Sequence, residues 1–525
     1  MNTYFSSANV KIFSREDVVA IDSGKCLKNE SFAFQIYVEN VEDGAYDVEV
    51  ISDLKIGVYE VVKKKGNYDK TSKTDDFYLH PSDDLYPEFL RPTRRLNTRK
   101  GGNYTLFIDV FEDEKCAGVH EILVNIGKNR ISFTLYVTDA FLCKSDLITT
   151  CWFHSDAICN YYGVVPFSTE YYDRFRDFLA AYVRMGNNML FVPVFTPPLD
   201  TEVGKERLTT QLVGVKKTEK GYAFDFSEMK RYVEIAKSYG IEYFELSHLF
   251  TQWGGTACPK IEAVENGKGV RLFGWDVAAD DDRYLHFLTE YFKALDEFLI
   301  EEGIKEVTYM HLTDEPSAEH IERYAHLSSF VKSHNFGVKT MDALSNFDLS
   351  TKAKIDLPAV SMQSADLPLF DSVKKLFYYC VDVDKNYLTN RYFHMPSLRT
   401  VILGVLLYAE KANGFLHWGY NFYNARLSKY SLDPNEDATA GGEFPAGDAF
   451  IVYPSENGVR YSIRYFSILK AMEDYRLLKT VEQKIGREAT ERVLQKHGVK
   501  GLHDYPRSVI AYEALRDECY ALLER

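Results

Sequence analysis

DDRYLHFLTEYFKALDEFLIEEGIKEVTYMHLTDEPS, residues 281–317, holds one full helix-to-strand unit. Tyr284, Leu288, Tyr291, Leu295 and Phe298 recur every three or four residues, the spacing of an amphipathic helix. Asp280 or Asp281 stands where an N-cap belongs. A terse connection, EGIKE (302–306), leads into EVTYMHL (306–312), a short apolar run of strand type. Pro316 then stops the strand and starts the next helix, leaving Asp314 and Glu315 at the strand's carboxyl end.

The same alternation extends in both directions. Seven further strands are expected at 148–153, 188–195, 243–250, 337–344, 357–363, 376–382 and 414–421, with amphipathic stripes such as Tyr171/Phe175/Phe178/Tyr182 between them. Eight βα units in order predict a (β/α)8 TIM-like barrel over residues 146–458, the helices around strands five to seven being the shortest. Helix-to-strand connections such as MGNN (185–188) and YGIE (239–242) are terse. Strand-to-helix connections are long, from Thr196 to about Val215, from Thr251 to Ala279 and from Phe422 to about Asn457. Barrel chemistry sits at the carboxyl ends of the strands, so a site is expected where these long segments meet.

Before the barrel the period changes to two. Phe32/Phe34/Ile36/Val38, Tyr104/Leu106/Ile108/Val110 and Ile131/Phe133/Leu135/Val137 each place apolar residues on one face, which predicts an N-terminal β-sandwich over 1–145. The basic stretch FLRPTRRLNTRKGG (89–102) reads there as a solvated loop. After the barrel, 459–525 reads as C-terminal helices packing on or beside it, the first within 462–485.

Composition narrows the function classes. Of 525 residues, 62 are Lys or Arg and 77 Asp or Glu, a net charge of −15, with no basic stripe to hold a phosphate backbone; nucleic acid is excluded as a partner. No apolar run has the length of a signal peptide or a membrane span, and the eight Cys show no CxxC or metal spacing. A cytoplasmic protein with free thiols is expected. There is no P-loop, no GxGxxG after a strand and no GxSxG elbow, so neither a nucleotide cofactor nor a serine nucleophile is expected.

Asp314 and Glu315 are the candidate catalytic pair. Neighbouring strand residues point to opposite faces, so both reach one pocket only where the backbone leaves the extended form. Consecutive carboxyls are badly placed to flank a glycosidic bond at the roughly 5–9.5 Å that ordinary glycosidases use. They suit a division of labour on one side of the bond, with Glu315 protonating the leaving oxygen and Asp314 holding a substrate group that attacks. Aromatic faces for a sugar ring are at hand, because 14% of residues are aromatic and all four Trp fall in the barrel stretch, at 152, 253, 275 and 418. SHLFTQWGG (247–255) adds His248, Gln252 and Trp253, and HWGYNFYN (417–424) adds His417, Trp418, Tyr420, Asn421 and Tyr423 as substrate-binding candidates. His248, His311 and His417 all lie on strands; without a HExxH helix they are read as pocket residues, His311 among the substrate-binding set, with no metal.

HLTDEPS, FTPPLDTEVG (195–204), SHLFTQWGG and LHWGYNFYN (416–424) together resemble the catalytic domain of glycoside hydrolase family 123. Known members are retaining β-N-acetylgalactosaminidases. The resemblance implies substrate-assisted hydrolysis without metal or organic cofactor: Asp314 orients the 2-acetamido group, whose oxygen attacks the anomeric carbon, and Glu315 is acid and then base. It also implies an aromatic wall and a Tyr bonded to the acetamido oxygen, with Trp253, Trp418, Tyr379 and Tyr420 as candidates. The expected partner is an oligosaccharide or small molecule carrying a β-linked 2-acetamido sugar. Two alternatives stay open: an enzyme nucleophile at Asp342, Asp382 or Asp384, and a silent, glycan-binding barrel.

Overall fold

The computed structural model describes every residue except 68–73, 112–113, 374–376, 380–385 and 525. Its centre is an eight-stranded parallel sheet built from Ile148–Cys151, Met189–Val192, Tyr243–Leu246, Thr308–His311, Lys339–Ala343, Leu357–Ser361, Phe377–Tyr379 and Gly414–His417, called the first to eighth barrel strands. The order around the sheet is first, eighth, seventh and so on down to the second. The ring is nearly closed, because Asn188 spans the remaining gap: its N–H donates to the Thr149 carbonyl at 3.2 Å and its side-chain oxygen accepts from the Thr149 N–H at 2.9 Å. Alternate residues fill the interior, among them Ile148, Met189, Tyr309, Met341, Leu357, Phe377 and Leu416.

The helix within the opening stretch runs Asp282–Glu301, with the Asp281 side chain accepting from the Arg283 N–H at its start. Tyr284, Leu288, Tyr291, Leu295 and Phe298 form its buried face. The helices between strands five and seven shrink to Phe347–Ala353 and a short 3-10 helix, Leu367–Ser372, with Pro368 in its first turn. The long connections are not open loops. Strands Gly214–Thr218 and Gly221–Asp225 pair with Ile261–Glu265 and Lys268–Phe273 in one four-stranded sheet, so the segments after the second and third barrel strands brace each other.

Ahead of the barrel lie two five-stranded sheets. Phe34, Ile36, Val38, Leu106, Ile108 and Val110 of one share an apolar cluster with Ile122, Val124, Phe133 and Leu135 of the other. The strand Tyr104–Val110 is buried on both faces, because Phe107 and Asp109 point the other way, toward the barrel side. Asp109 there takes two 2.8 Å bonds from Arg184. Residues 89–102, expected as a solvated loop, instead contribute to the strands Leu85–Pro92 and Arg95–Thr98. Leu90, Leu96 and Thr98 are buried while Arg91 and Arg95 pair with Glu60 and Asp47, an alternation that the basic composition hides.

The chain ends in helices Ile463–Ile485, Arg487–Lys496 and Val509–Glu524. The first packs on helix Leu403–Ala409 through Gly404, where a Cβ would stand 1.7 Å from the Ala471 carbonyl oxygen. Its Arg464 reaches Glu88 of the N-terminal sheets at 2.7 Å, both wholly buried. No helix among the described residues is long and apolar enough to cross a membrane.

Candidate functional site

At the carboxyl ends of the barrel strands lies a cavity of about 450 Å³. Asp314 and Glu315 of the fourth strand end line it, with Tyr379 of the seventh, Gln252 and Trp253 after the third, and Trp418 after the eighth. Trp152, His154, Leu199 and Asp200 come from the first and second strand ends, and Arg426, Glu443, Phe444 and Asp448 from the long eighth connection.

The pair occupies one cavity because the backbone leaves the extended form, as adjacency requires. Glu315 has a left-handed φ of 44°, strained for a residue with a side chain. Its N–H donates to the Ala343 carbonyl at 2.9 Å, and the Asp314 carbonyl accepts from the Trp253 N–H at 2.8 Å. Just upstream, the Thr313 N–H and hydroxyl each donate to Asp342 Oδ2 at 3.0 Å. The third, fourth and fifth strand ends thus hold the bend.

Both carboxyls are half-buried. Burial, and then the charge of Glu315, push the Asp314 carboxyl well above its ordinary range; His311 opposes the shift, while Asp342 and Asp200 add to it. The Tyr379 hydroxyl donates to Glu315 Oε1 at 2.8 Å, and burial with the Glu315 charge keeps that phenol protonated. Two adjacent carboxyls of which one is held to its proton more tightly than usual can form an acid and a carboxylate in one place, which is what glycoside cleavage needs. Asp200, across the cavity, is pushed up to about 6 by burial, against the Leu427 N–H that donates to it at 2.8 Å.

Beneath the pair the barrel is charged. His311 is fully buried, Nδ1 lying 2.8 Å from Glu245 Oε1 and Nε2 lying 3.1 Å from Asp342 Oδ1. Burial alone would lower its pKa, but the bonds to Asp342 and Glu245 raise it to about 10. The Ala343 N–H lies 3.3 Å from the same Nε2 and would need a lone pair there; the carboxylate is the stronger acceptor, so Nε2 carries a proton. Glu245 also accepts from Trp152 Nε1 at 2.8 Å and Thr150 Oγ1 at 3.0 Å, and the Tyr324 hydroxyl donates to Asp342 at 2.7 Å. The ring of His248 lies over that of His311 at 3.8 Å, kept neutral by burial and by its charged neighbour.

Of the residues singled out in the sequence, Asp314, Glu315, Gln252, Trp253, Tyr379 and Trp418 come together on the cavity wall. Gln252 is buried with Oε1 unpartnered, and Trp253 is 44% exposed at the mouth. His248 and His311 lie in the floor below. The others face elsewhere. The Tyr420 hydroxyl donates to the Phe178 carbonyl and that of Tyr423 to the Val452 carbonyl, both within the helix-facing core. Asn421 is bonded twice to the His154 backbone, tying the first strand end to the eighth. His417 accepts the Gly419 N–H and is wholly buried. Asp342 is also buried with both oxygens occupied, a poor position for a nucleophile; Asp382 and Asp384 lie outside the described residues. Among the described residues no group of three or more His, Cys, Asp and Glu could hold a metal ion. Sequence reading missed Asp200, Arg426, Glu443, Phe444 and Asp448. Asp200 lies within FTPPLDTEVG, and the other four have only loop length as a signal.

A family description, "Glycoside hydrolase 123, catalytic domain", matches residues 152–481. No curated protein matches the sequence. Among solved structures, a family 123 glycoside hydrolase from Clostridium perfringens, analysed for glycolipid glycan hydrolysis, superposes with a TM-score of 0.73 at 14% identity, covering 99% of this chain and 97% of that one. A family 5 mannosidase from Rhizomucor miehei reaches a TM-score of 0.34 at 12% identity, over 65% and 95% of the two chains. A glycosyl hydrolase family 2 member from Bacteroides cellulosilyticus reaches 0.27 at 8%, over 84% and 48%.

Proposed function

Because the chain belongs to glycoside hydrolase family 123 and is a glycosidase, we propose that it is a retaining, exo-acting β-N-acetylhexosaminidase, in the first place a β-N-acetylgalactosaminidase, working by substrate assistance. The observation that carries this reading is the Asp314-Glu315 bend, which turns two consecutive carboxyls into one cavity. Ionised Asp314 takes a hydrogen bond from the acetamido N–H and turns the acetamido oxygen toward the anomeric carbon. That oxygen attacks, Glu315 gives its proton to the departing glycosidic oxygen, and an oxazolinium forms as the glycosidic bond breaks, its N–H still held by the Asp314 carboxylate. Glu315, now a carboxylate, takes a proton from water; the water oxygen opens the oxazolinium, whose N–H becomes that of the restored acetamido group, with retention.

The acetamido N–H also solves a protonation problem. Before substrate binds, the Tyr379 bond favours an ionised Glu315 and leaves the pair's proton on Asp314. A substrate N–H donated to Asp314 favours its ionised form, so binding passes the proton to Glu315, where leaving-group departure requires it. The indoles of Trp253 and Trp418 supply flat faces for the sugar. The division at residues 145 and 458 belongs to the same proposal, with the flanking segments bracing a barrel that carries the chemistry.

The test compares an aryl β-N-acetylgalactosaminide with its N-trifluoroacetyl analogue. Substrate assistance requires the fluorinated, less nucleophilic amide to be cleaved far more slowly. Equal rates, or a covalent glycosyl-enzyme trapped with a slow fluorosugar, would overturn it.

A further inference from the structure

The barrel interior beneath the cavity holds more charge than packing needs. Glu245, His311 and Asp342 are each 0% exposed and come from the third, fourth and fifth strands. A neutral imidazole has one N–H, so a ring flanked at 2.8 and 3.1 Å by carboxylates on both nitrogens would set one lone pair against another. Protonated at both, it donates twice. The ring is therefore a buried cation at the end of the strand that carries the carboxyl pair, and its acceptor Asp342 is the group that grips Thr313, the residue before Asp314.

We infer that His311, held as an imidazolium between Glu245 and Asp342, is a positioning residue for the carboxyl pair: through Asp342 it fixes the bend that turns Asp314 and Glu315 into one cavity, and its charge lets that pair hold a negative charge out of water. The inference rests on the reading that the pair performs the hydrolysis. Replacing the chain by apolar residues would keep the barrel filled and lose both effects, which is why a well-packed interior alone does not account for it.

The groups that face these residues decide the sign. Around His311 stand Glu245, Asp342, the neutral ring of His248 and the edge of Trp152, whose ring centre is 5.7 Å away. Around Asp314 stand Glu315, Asp342 and Asp200, all acidic, and His311 as the opposing cation. Removing the cation makes the first proton of the pair harder to lose, so the acid limb of activity moves to higher pH.

The experiment measures kcat/KM against pH on an aryl β-N-acetylgalactosaminide for the parent and for His311→Gln. The acid limb is expected to move up by about one pH unit, which reads as roughly a tenfold loss at a fixed acidic pH beyond any loss on the plateau. A plateau loss with the limb unmoved makes His311 a packing residue and overturns the inference while leaving the functional reading intact. A parent that turns over no glycoside overturns the functional reading, and with it the role given to His311. Should His311→Gln not fold, ¹⁵N-histidine NMR of the parent decides. One ring carrying two exchange-protected N–H groups between about pH 6 and 8 supports the inference, and a ring with a single protonated nitrogen throughout overturns it.

Discussion

Two of the buried charge clusters among the described residues are built on opposite principles. At the seam between the N-terminal sheets and the last helices, Glu30 is met by Lys470, by Arg516 at 2.6 Å and by the Tyr520 hydroxyl at 2.9 Å, while Arg516 also binds Asp474 at 3.1 Å. Anions and cations alternate there, and the cluster joins segments far apart in sequence. In the barrel floor one imidazolium serves two carboxylates, with two more carboxyls above it on the cavity wall. Charge that is matched locks a fold together; charge left in excess is held ready for a ligand.

If that contrast is right, the floor and the seam fail differently. The largest effect is expected above the floor: Glu315→Gln and Asp314→Asn should each lower glycoside cleavage by about 10³-fold or more with the melting temperature near that of the parent, checked by steady-state kinetics and calorimetry. At the seam the reverse is expected. Glu30→Leu removes the buried carboxylate that Lys470 and Arg516 share and should cost about 3 kcal/mol of stability, read in denaturant unfolding, while KM of the folded protein stays unchanged.

The pH scale separates the clusters again. At Glu30 burial alone would raise the pKa, but Lys470 and Arg516 bring it to about 2. Its stabilisation is present above the ordinary value of 4.5 and is lost as pH falls through about 2. His311 is raised to about 10, so its contribution is full below the ordinary 6.5 and drains away as pH rises through about 10. Melting temperature followed across pH should therefore fall at the acid end less steeply in Glu30→Gln, and at the alkaline end less steeply in His311→Gln. Identical slopes in parent and variants would erase the distinction. The smallest effect is expected for Tyr379→Phe, which removes one donor to Glu315 and should lower kcat about tenfold with little change in stability.

What could be read from the sequence was what repeats locally. The helix Asp282–Glu301 and the strand Thr308–His311 stand where residues 281–317 placed them, because the periods of 3.6 and 2 are properties of a few consecutive residues. The barrel strands followed for the same reason. Beyond a strand end that logic stops. Trp418 lines the cavity but Tyr420 and Tyr423 do not, since after His417 the chain leaves the sheet and alternation no longer says which way a ring points. Residues 89–102 were misread because their arginines outweigh Leu90 and Leu96 in composition but not in burial. The pairing of Lys216 with Val264, which turns two long loops into one sheet, joins segments whose sequences carry no mark of each other. Nor does any local pattern tie Glu245 to His311 and Asp342; only closing the strands into a ring does so.

The left-handed backbone at Glu315 carries a cost that outlives the question of mechanism. A long acidic side chain is a poor choice for φ of 44°, and its charge beside Asp314 compounds the penalty. Asn tolerates that conformation and brings no charge. Glu315→Asn should therefore melt at a higher temperature than the parent while losing turnover, and selection for robustness alone would have discarded the glutamate. With the acid role proposed for it, its presence marks a position where stability is traded for function.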